Sequence, residues 1–144
     1  MLDSEIIMLI DDDEDDRYFF YEALMQIDKS CQFIAAVNGE IALTMLNQRE
    51  NKLPHFIFLD LNMPGINGWQ ILARLRENSA LKKIPIIIYT TSQENEKYDE
   101  AQKMDAVYFL TKPSRFEDLK NAISCVLNYD WEKIAELNKN TFPV

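Results

Sequence analysis

The stretch Phe56-Ile57-Phe58-Leu59-Asp60-Leu61-Asn62-Met63-Pro64-Gly65-Ile66-Asn67-Gly68 decides the fold. Four apolar residues stop abruptly at an aspartate. A short, wholly apolar run is the signature of a strand covered on both faces, the habit of parallel sheets. Pro64-Gly65 and Asn67-Gly68 are turn signals, so a shaped loop follows the aspartate directly.

Working outward, the same pattern recurs. Ile6–Ile10 runs into Asp11-Asp12, residues 86–89 into Thr90, and residues 107–110 into Thr111-Lys112. Residues 31–37 form a fifth, weaker strand pattern, nearer an edge. Helical patterns lie between. Residues 17–27 carry Phe20, Leu24 and Ile27 at helical spacing. Residues 39–49 follow Asn38, a good N-cap. Residues 69–76 are amphipathic, and residues 95–104 form a short polar pattern. Ser114 opens the last clear helix, with Glu117 expected to complete a capping box. Strands alternating with helices predict βαβ units, right-handed crossovers and a three-layer α/β sandwich around a five-stranded parallel sheet. Residues 1–128 are read as one such domain. Residues 129–144, with Trp131, Ile134 and Leu137 on one face, are read as a helical extension and tail.

In open parallel sheets, ligands bind beyond the carboxyl ends of the strands. The residues presented there are Asp11, Asp12, Asp60, Thr90 and Lys112. Carboxylates placed together repel one another unless a cation neutralises them. A hard divalent ion does this, and Mg²⁺ favours one or two carboxylates together with phosphate oxygens. A phosphoryl group on Asp60 would offer acceptor oxygens to Mg²⁺, to the Lys112 ammonium and to the Thr90 hydroxyl. Charge neutralisation and positioning of this kind are what phosphoryl transfer requires. Singly, each residue has a plainer reading: a turn aspartate, a capping threonine, a surface lysine. Asp13, Glu14, Asp15 and Asp16 read as a solvated loop or a helix N-terminus. An EF-hand is excluded because Asp16 stands where the calcium loop needs glycine.

The 144 residues have the size of one ordinary domain, and 47% are hydrophobic, enough for a real core. A formal net charge of −9 argues against nucleic-acid binding through phosphates. The start, MLDSEI, lacks the pattern of a signal peptide, and no apolar run approaches a membrane span. A cytoplasmic location is expected, with Cys31 and Cys125 as buried free thiols.

The ordered set Ile10-Asp11-Asp12-Asp13, Leu59-Asp60-Leu61-Asn62-Met63-Pro64-Gly65-Ile66-Asn67-Gly68, Ile88-Tyr89-Thr90-Thr91 and Leu110-Thr111-Lys112-Pro113 resembles a bacterial two-component response-regulator receiver domain, over residues 5–128. The resemblance implies a stand-alone, CheY-like (flavodoxin-like) fold with strand order 2-1-3-4-5. It implies that Asp60 accepts a phosphoryl group from a sensor or hybrid histidine kinase, or from a phosphotransfer protein. Asp12 would hold Mg²⁺ directly and Asp11 mostly through water, with Asp60 and the backbone carbonyl of Asn62 completing the protein ligands. Thr90 would be the switch hydroxyl, Lys112 the phosphoryl-binding ammonium and Phe109 the aromatic switch residue. Pro113 would follow Lys112 in a bond usually held cis. Thr91 is bulkier than the residue often found there, and would slow access to the phosphoryl group. The resemblance also points to signalling through protein–protein contact. The face would be the fourth helix, fifth strand and fifth helix, with Tyr98, Tyr108, Phe109 and Phe116, and a homodimer could form there.

Three other readings compete. A degenerate receiver used only for binding would not need the full set of Asp11, Asp12, Asp60, Thr90 and Lys112. An aspartate-nucleophile phosphatase of the haloacid-dehalogenase type needs an acid two residues after the nucleophile, and Asn62 stands there. A flavodoxin needs a phosphate loop, where this chain, with three glycines in all, has acids.

Overall fold

The computed structural model describes residues 5–48, 52–63, 65, 68–91 and 107–129. The order of elements is β1 (Ile6–Ile10), α1 (Glu14–Ile27), β2 (Gln32–Ala36), α2 (Gly39–Leu46), β3 (Phe56–Leu59), α3 (Gly68–Glu77), β4 (Ile86–Thr90), β5 (Val107–Thr111) and a last helix, Phe116–Asn128. The five strands form one sheet in the order β2-β1-β3-β4-β5, and every pairing is parallel. The expected fold and strand order are both present.

Alternation along the strands builds the two halves of the core. Met8, Ile10, Ile57, Leu59, Ile86, Ile88, Val107 and Phe109 face one way, against Ala42 and Leu46 of α2 and Ile71, Leu72 and Leu75 of α3. Ile7, Leu9, Phe56, Phe58, Ile87, Tyr89, Tyr108 and Leu110 face the other, against Phe20, Ala23 and Leu24 of α1 and Leu119, Ala122, Ile123 and Val126 of the last helix. Phe20 sits edge-on to Phe58 at 4.9 Å and to Tyr89 at 5.7 Å between ring centroids.

The element ends differ from expectation in instructive ways. The first helix starts at Glu14, not Arg17, because the Asp13 side chain accepts from the Asp16 amide and caps it. The acids that follow lie at the positive end of the helix dipole. The capping box at Ser114 does not form. The last helix starts at Phe116 behind Arg115, whose side chain makes no cap bond. Glu117 is then the second helical residue rather than the third, out of register for a box. Cys31 is buried, and burial pushes its thiol up to about 11. Cys125, expected to be buried, is exposed. The buried stripe runs through 119, 122, 123 and 126, and position 125 falls off it.

At the amino end of the sheet, Arg76 anchors the segment between α3 and β4. Its guanidinium donates to the carbonyls of Lys82, Leu81 (3.2 Å) and Ile84 (2.9 Å). At the same end of the sheet, the Ile6 amide donates to Nδ1 of His55 at 2.9 Å. Among the described residues, no helix is long and apolar enough to cross a membrane. The helix expected at residues 95–104 and the extension from 130 onward lie outside the described residues. Tyr129, the last of them, packs against the core half beneath α1.

Candidate functional site

The parallel ladder carries each chemical residue to the same rim. The Asp11 amide donates to the Ala36 carbonyl (3.1 Å), the Asp60 amide to Ile10 (3.0 Å) and the Lys112 amide to Thr90 (2.9 Å). Each bond extends a strand by one step, so the backbones beneath the side chains are held by the sheet itself. Gly68 packs against the backbone that follows β3. A Cβ there would lie 2.5 Å from Leu61 Cα and 2.6 Å from the Asp60 carbonyl oxygen, a collision with backbone that only glycine avoids.

Asp11, Asp12 and Asp60 each offer a carboxylate oxygen, all within 4.8 Å of one another. Asp11 is 0% exposed and Asp60 5%, whereas Asp12 is open to solvent. Lys112 reaches into this group. Its ammonium donates to Asp11 Oδ2 (2.8 Å), Asp16 Oδ2 (2.8 Å) and Asp60 Oδ2 (3.1 Å), and lies 5.3 Å from the centre of the Tyr89 ring. Asp60 Oδ1 accepts from the Asn62 amide at 3.0 Å, so both acceptor oxygens of Asp60 are oriented. The Asn62 side chain donates to the Thr90 hydroxyl at 3.2 Å, and Thr90 is buried. The Asp11 carbonyl accepts from Arg17 Nη1 at 3.0 Å.

The electrostatics follow from burial. Desolvation pushes the Asp11 carboxyl up from its ordinary value, and the Lys112 hydrogen bond offsets this only in part. Burial alone would lower the Lys112 ammonium. Hydrogen bonds to Asp11 and Asp16, with the charges of Asp11 and Asp60, reverse that and raise it. Burial likewise raises the Tyr89 phenol. Among the described residues, one ammonium thus serves a cluster of carboxylates it cannot neutralise. Hard oxygen donors, clustered and short of positive charge, fit Mg²⁺.

Of the predicted residues, Asp11, Asp12, Asp60, Thr90 and Lys112 come together. Thr91 is exposed directly after β4. Phe109 is 3% exposed, turned into the core beside Ile88, and Tyr108 is buried on the opposite face. Of the expected contact face, Phe116 is half-buried against Phe19 at 5.2 Å, and Tyr98 lies outside the described residues. No cis peptide is present among the described residues, so the bond before Pro113 is trans, the isomer an X–Pro bond favours by about 0.5–1 kcal/mol. Two contacts escaped the sequence reading. One is Asp16 on Lys112, hidden in an acidic run with nothing to single it out. The other is the Asn62 side chain on Thr90, where only a backbone carbonyl had been expected to act.

A family model described as the response regulator receiver domain matches residues 7–124. The chain belongs to that family. The receiver is 37% identical over 105 residues to the positive alginate biosynthesis regulatory protein of Pseudomonas aeruginosa, covering 73% of this chain and 40% of the relative. It is 28% identical over 134 residues to response regulator Rcp1 of Synechocystis, covering 90% of this chain and 91% of the relative. The receiver thus spans under half the length of the first relative and nearly all of the second. The crystal structure of the Mn²⁺-bound form of Rcp1 superposes with a TM-score of 0.73 at 28% identity, over 89% of this chain and 95% of that one. Response regulators of this family are two-component signalling switches phosphorylated on aspartate, and receivers bind Mg²⁺ at an acidic pocket.

Proposed function

We propose that Asp60 is the phosphoacceptor of this receiver and that its acidic pocket holds Mg²⁺. The observation that carries the reading is the placement of Asp60. It is a nearly buried carboxylate at the end of a central strand, with one oxygen on an amide and the other on an ammonium. The phosphoryl group comes from a phosphohistidine of a sensor or hybrid histidine kinase, or of a phosphotransfer protein. An Asp60 oxygen attacks phosphorus, the phosphorus–nitrogen bond breaks, and the imidazole leaves. Asp11, Asp12, Asp60 and the Asn62 carbonyl would hold Mg²⁺, which supplies charge neutralisation for the phosphoryl oxygens. Lys112 stands within reach of one phosphoryl oxygen. Thr90 binds another once its hydroxyl leaves Asn62, and that exchange is the switch. Thr91, exposed beside it, narrows the approach to the acceptor, and Pro113 shapes the exit of the chain from Lys112.

The protein catalyses only its own phosphorylation and slow dephosphorylation, and acts on other proteins by contact. Asn62 in place of an acid supports this over phosphatase chemistry. A homodimer through the face that includes Phe116 would be a consequence of phosphorylation rather than its cause.

Acetyl phosphate with Mg²⁺ tests the reading. The folded protein should gain one acid-labile phosphoryl group, and Asp60→Asn should gain none. Intact protein left unlabelled by acetyl phosphate and by a panel of kinases would leave it a binding module instead.

A further inference from the structure

An ammonium has three hydrogens to donate. Each of those of Lys112 is engaged by a carboxylate: Asp11, Asp16 and Asp60. Asp11 and Asp60 belong to the carboxylate cluster suited to a divalent ion; Asp16 does not. Asp16 comes instead from the first turn of α1, and its side chain is 42% exposed, against 0% for Asp11 and 7% for Asp60.

The placement of Asp16 is built. Its amide is held by the Asp13 side chain at 3.0 Å. In a capping box, the third helical residue would turn back to the amide of the cap residue. Here that amide, on Asp13, is already taken by Asp11 Oδ1 at 3.0 Å. The Asp16 carboxylate is therefore released from the helix end and meets Lys112. Charged and polar groups face the ammonium from several elements: Asp11 after β1, Asp16 on α1, Asp60 after β3 and the Tyr89 ring on β4.

We propose that Asp16 is a positioning residue that parks Lys112 and competes with the phosphoryl group for its ammonium. This rests on Asp60 being the phosphoacceptor. When a cation draws on Asp11 and Asp60, Asp16 is the anion left holding Lys112. A phosphoryl oxygen gains Lys112 only at the expense of that contact. The negative charge of Asp16 also acts on the site in two opposed ways. It repels an anionic phosphodonor and attracts a cation. Asp16 thereby sets how much donor is needed to switch the protein on.

The experiment measures two quantities in the full chain: the acetyl phosphate concentration giving half-maximal phosphorylation rate, and Mg²⁺ affinity by calorimetry without any donor. In the labelling reaction an Asp60 oxygen attacks phosphorus, the bond from phosphorus to the acetyl oxygen breaks, and acetate leaves with the electron pair. Asp16→Asn should lower the half-maximal donor concentration about three- to tenfold and weaken Mg²⁺ by a similar factor. Both changes should shrink at high salt. Asp16→Glu, which restores the charge, should return both towards wild type. Asp15→Asn removes a charge from the same exposed turn without touching Lys112, and should change either value by less than about twofold.

Opposite movement of the two affinities is what a merely structural role would not produce. If both weaken together, if Asp15→Asn matches Asp16→Asn, or if neither value moves, Asp16 does not act through Lys112. Wild-type protein labelled on Asp60 alongside an unchanged Asp16→Asn overturns this inference alone. Wild-type protein that takes no label at all overturns the receiver reading and this inference with it.

Discussion

At the amino end of the sheet, Arg76 gives its guanidinium to neutral carbonyls of Leu81, Lys82 and Ile84, and His55 takes the Ile6 amide. At the carboxyl end, Lys112 gives its ammonium to the charged Asp11, Asp16 and Asp60. Both ends use a long basic side chain as a hub. One hub ties together backbone carbonyls of the segment between α3 and β4. The other faces more negative charge than it can neutralise, so it retains a demand for a cation. The first arrangement serves the fold, and the second stores the capacity to respond.

Four substitutions break or sharpen that contrast. Lys112→Ala strips three carboxylates of their ammonium. Metal-free protein should lose about 3 kcal/mol in urea unfolding, and saturating Mg²⁺ should recover part of it. A loss that Mg²⁺ leaves untouched would mean the two hubs are alike. Arg76→Ala should cost about 2 kcal/mol by orphaning carbonyls, with no recovery by Mg²⁺ and an unchanged labelling rate in the folded fraction.

Asp11→Asn should do the reverse and stabilise metal-free protein by about 1 kcal/mol at neutral pH while weakening Mg²⁺. The sign follows from burial, which raises the Asp11 carboxyl above its unfolded value. Stability tied to the protonated form is fully present below the ordinary carboxylate pKa and is lost as pH rises through the raised one. The advantage of asparagine should therefore appear near neutrality and vanish in acid, which thermal melts across pH would show. The smallest effect belongs to His55→Ala, about 0.5–1 kcal/mol for one hydrogen bond near the surface, equal with and without Mg²⁺.

The strands were legible because burial on both faces leaves an uninterrupted apolar run, as in Phe56–Leu59, and the residue closing each run is the one that reaches the rim. Asp11, Asp60 and Thr90 could be placed from that rule alone, and Lys112 lies one residue past the Thr111 that closes its run. What stayed hidden depends on competition between partners. Whether Asp13 to Asp16 solvate a loop or start a helix turns on one side-chain bond, from the Asp16 amide to Asp13. Whether Ser114 caps a helix depends on where the chain turns after Pro113. The Asp16 contact with Lys112 joins residues 96 positions apart, and no local pattern encodes it. Cys125 sits among apolar neighbours in sequence, yet helical rotation turns it outward.

The bond from the Lys112 amide to the Thr90 carbonyl gives the experimenter a sentinel. Its two residues carry the ammonium and the hydroxyl of the proposed switch, yet the proton in that bond takes no part in the proposed chemistry. It rests on the backbone alone, so its exchange with deuterated solvent reads how tightly the last rung is shut. Followed before and after phosphorylation, that single proton would tell whether the switch moves side chains over a still sheet or parts the two strands beneath them.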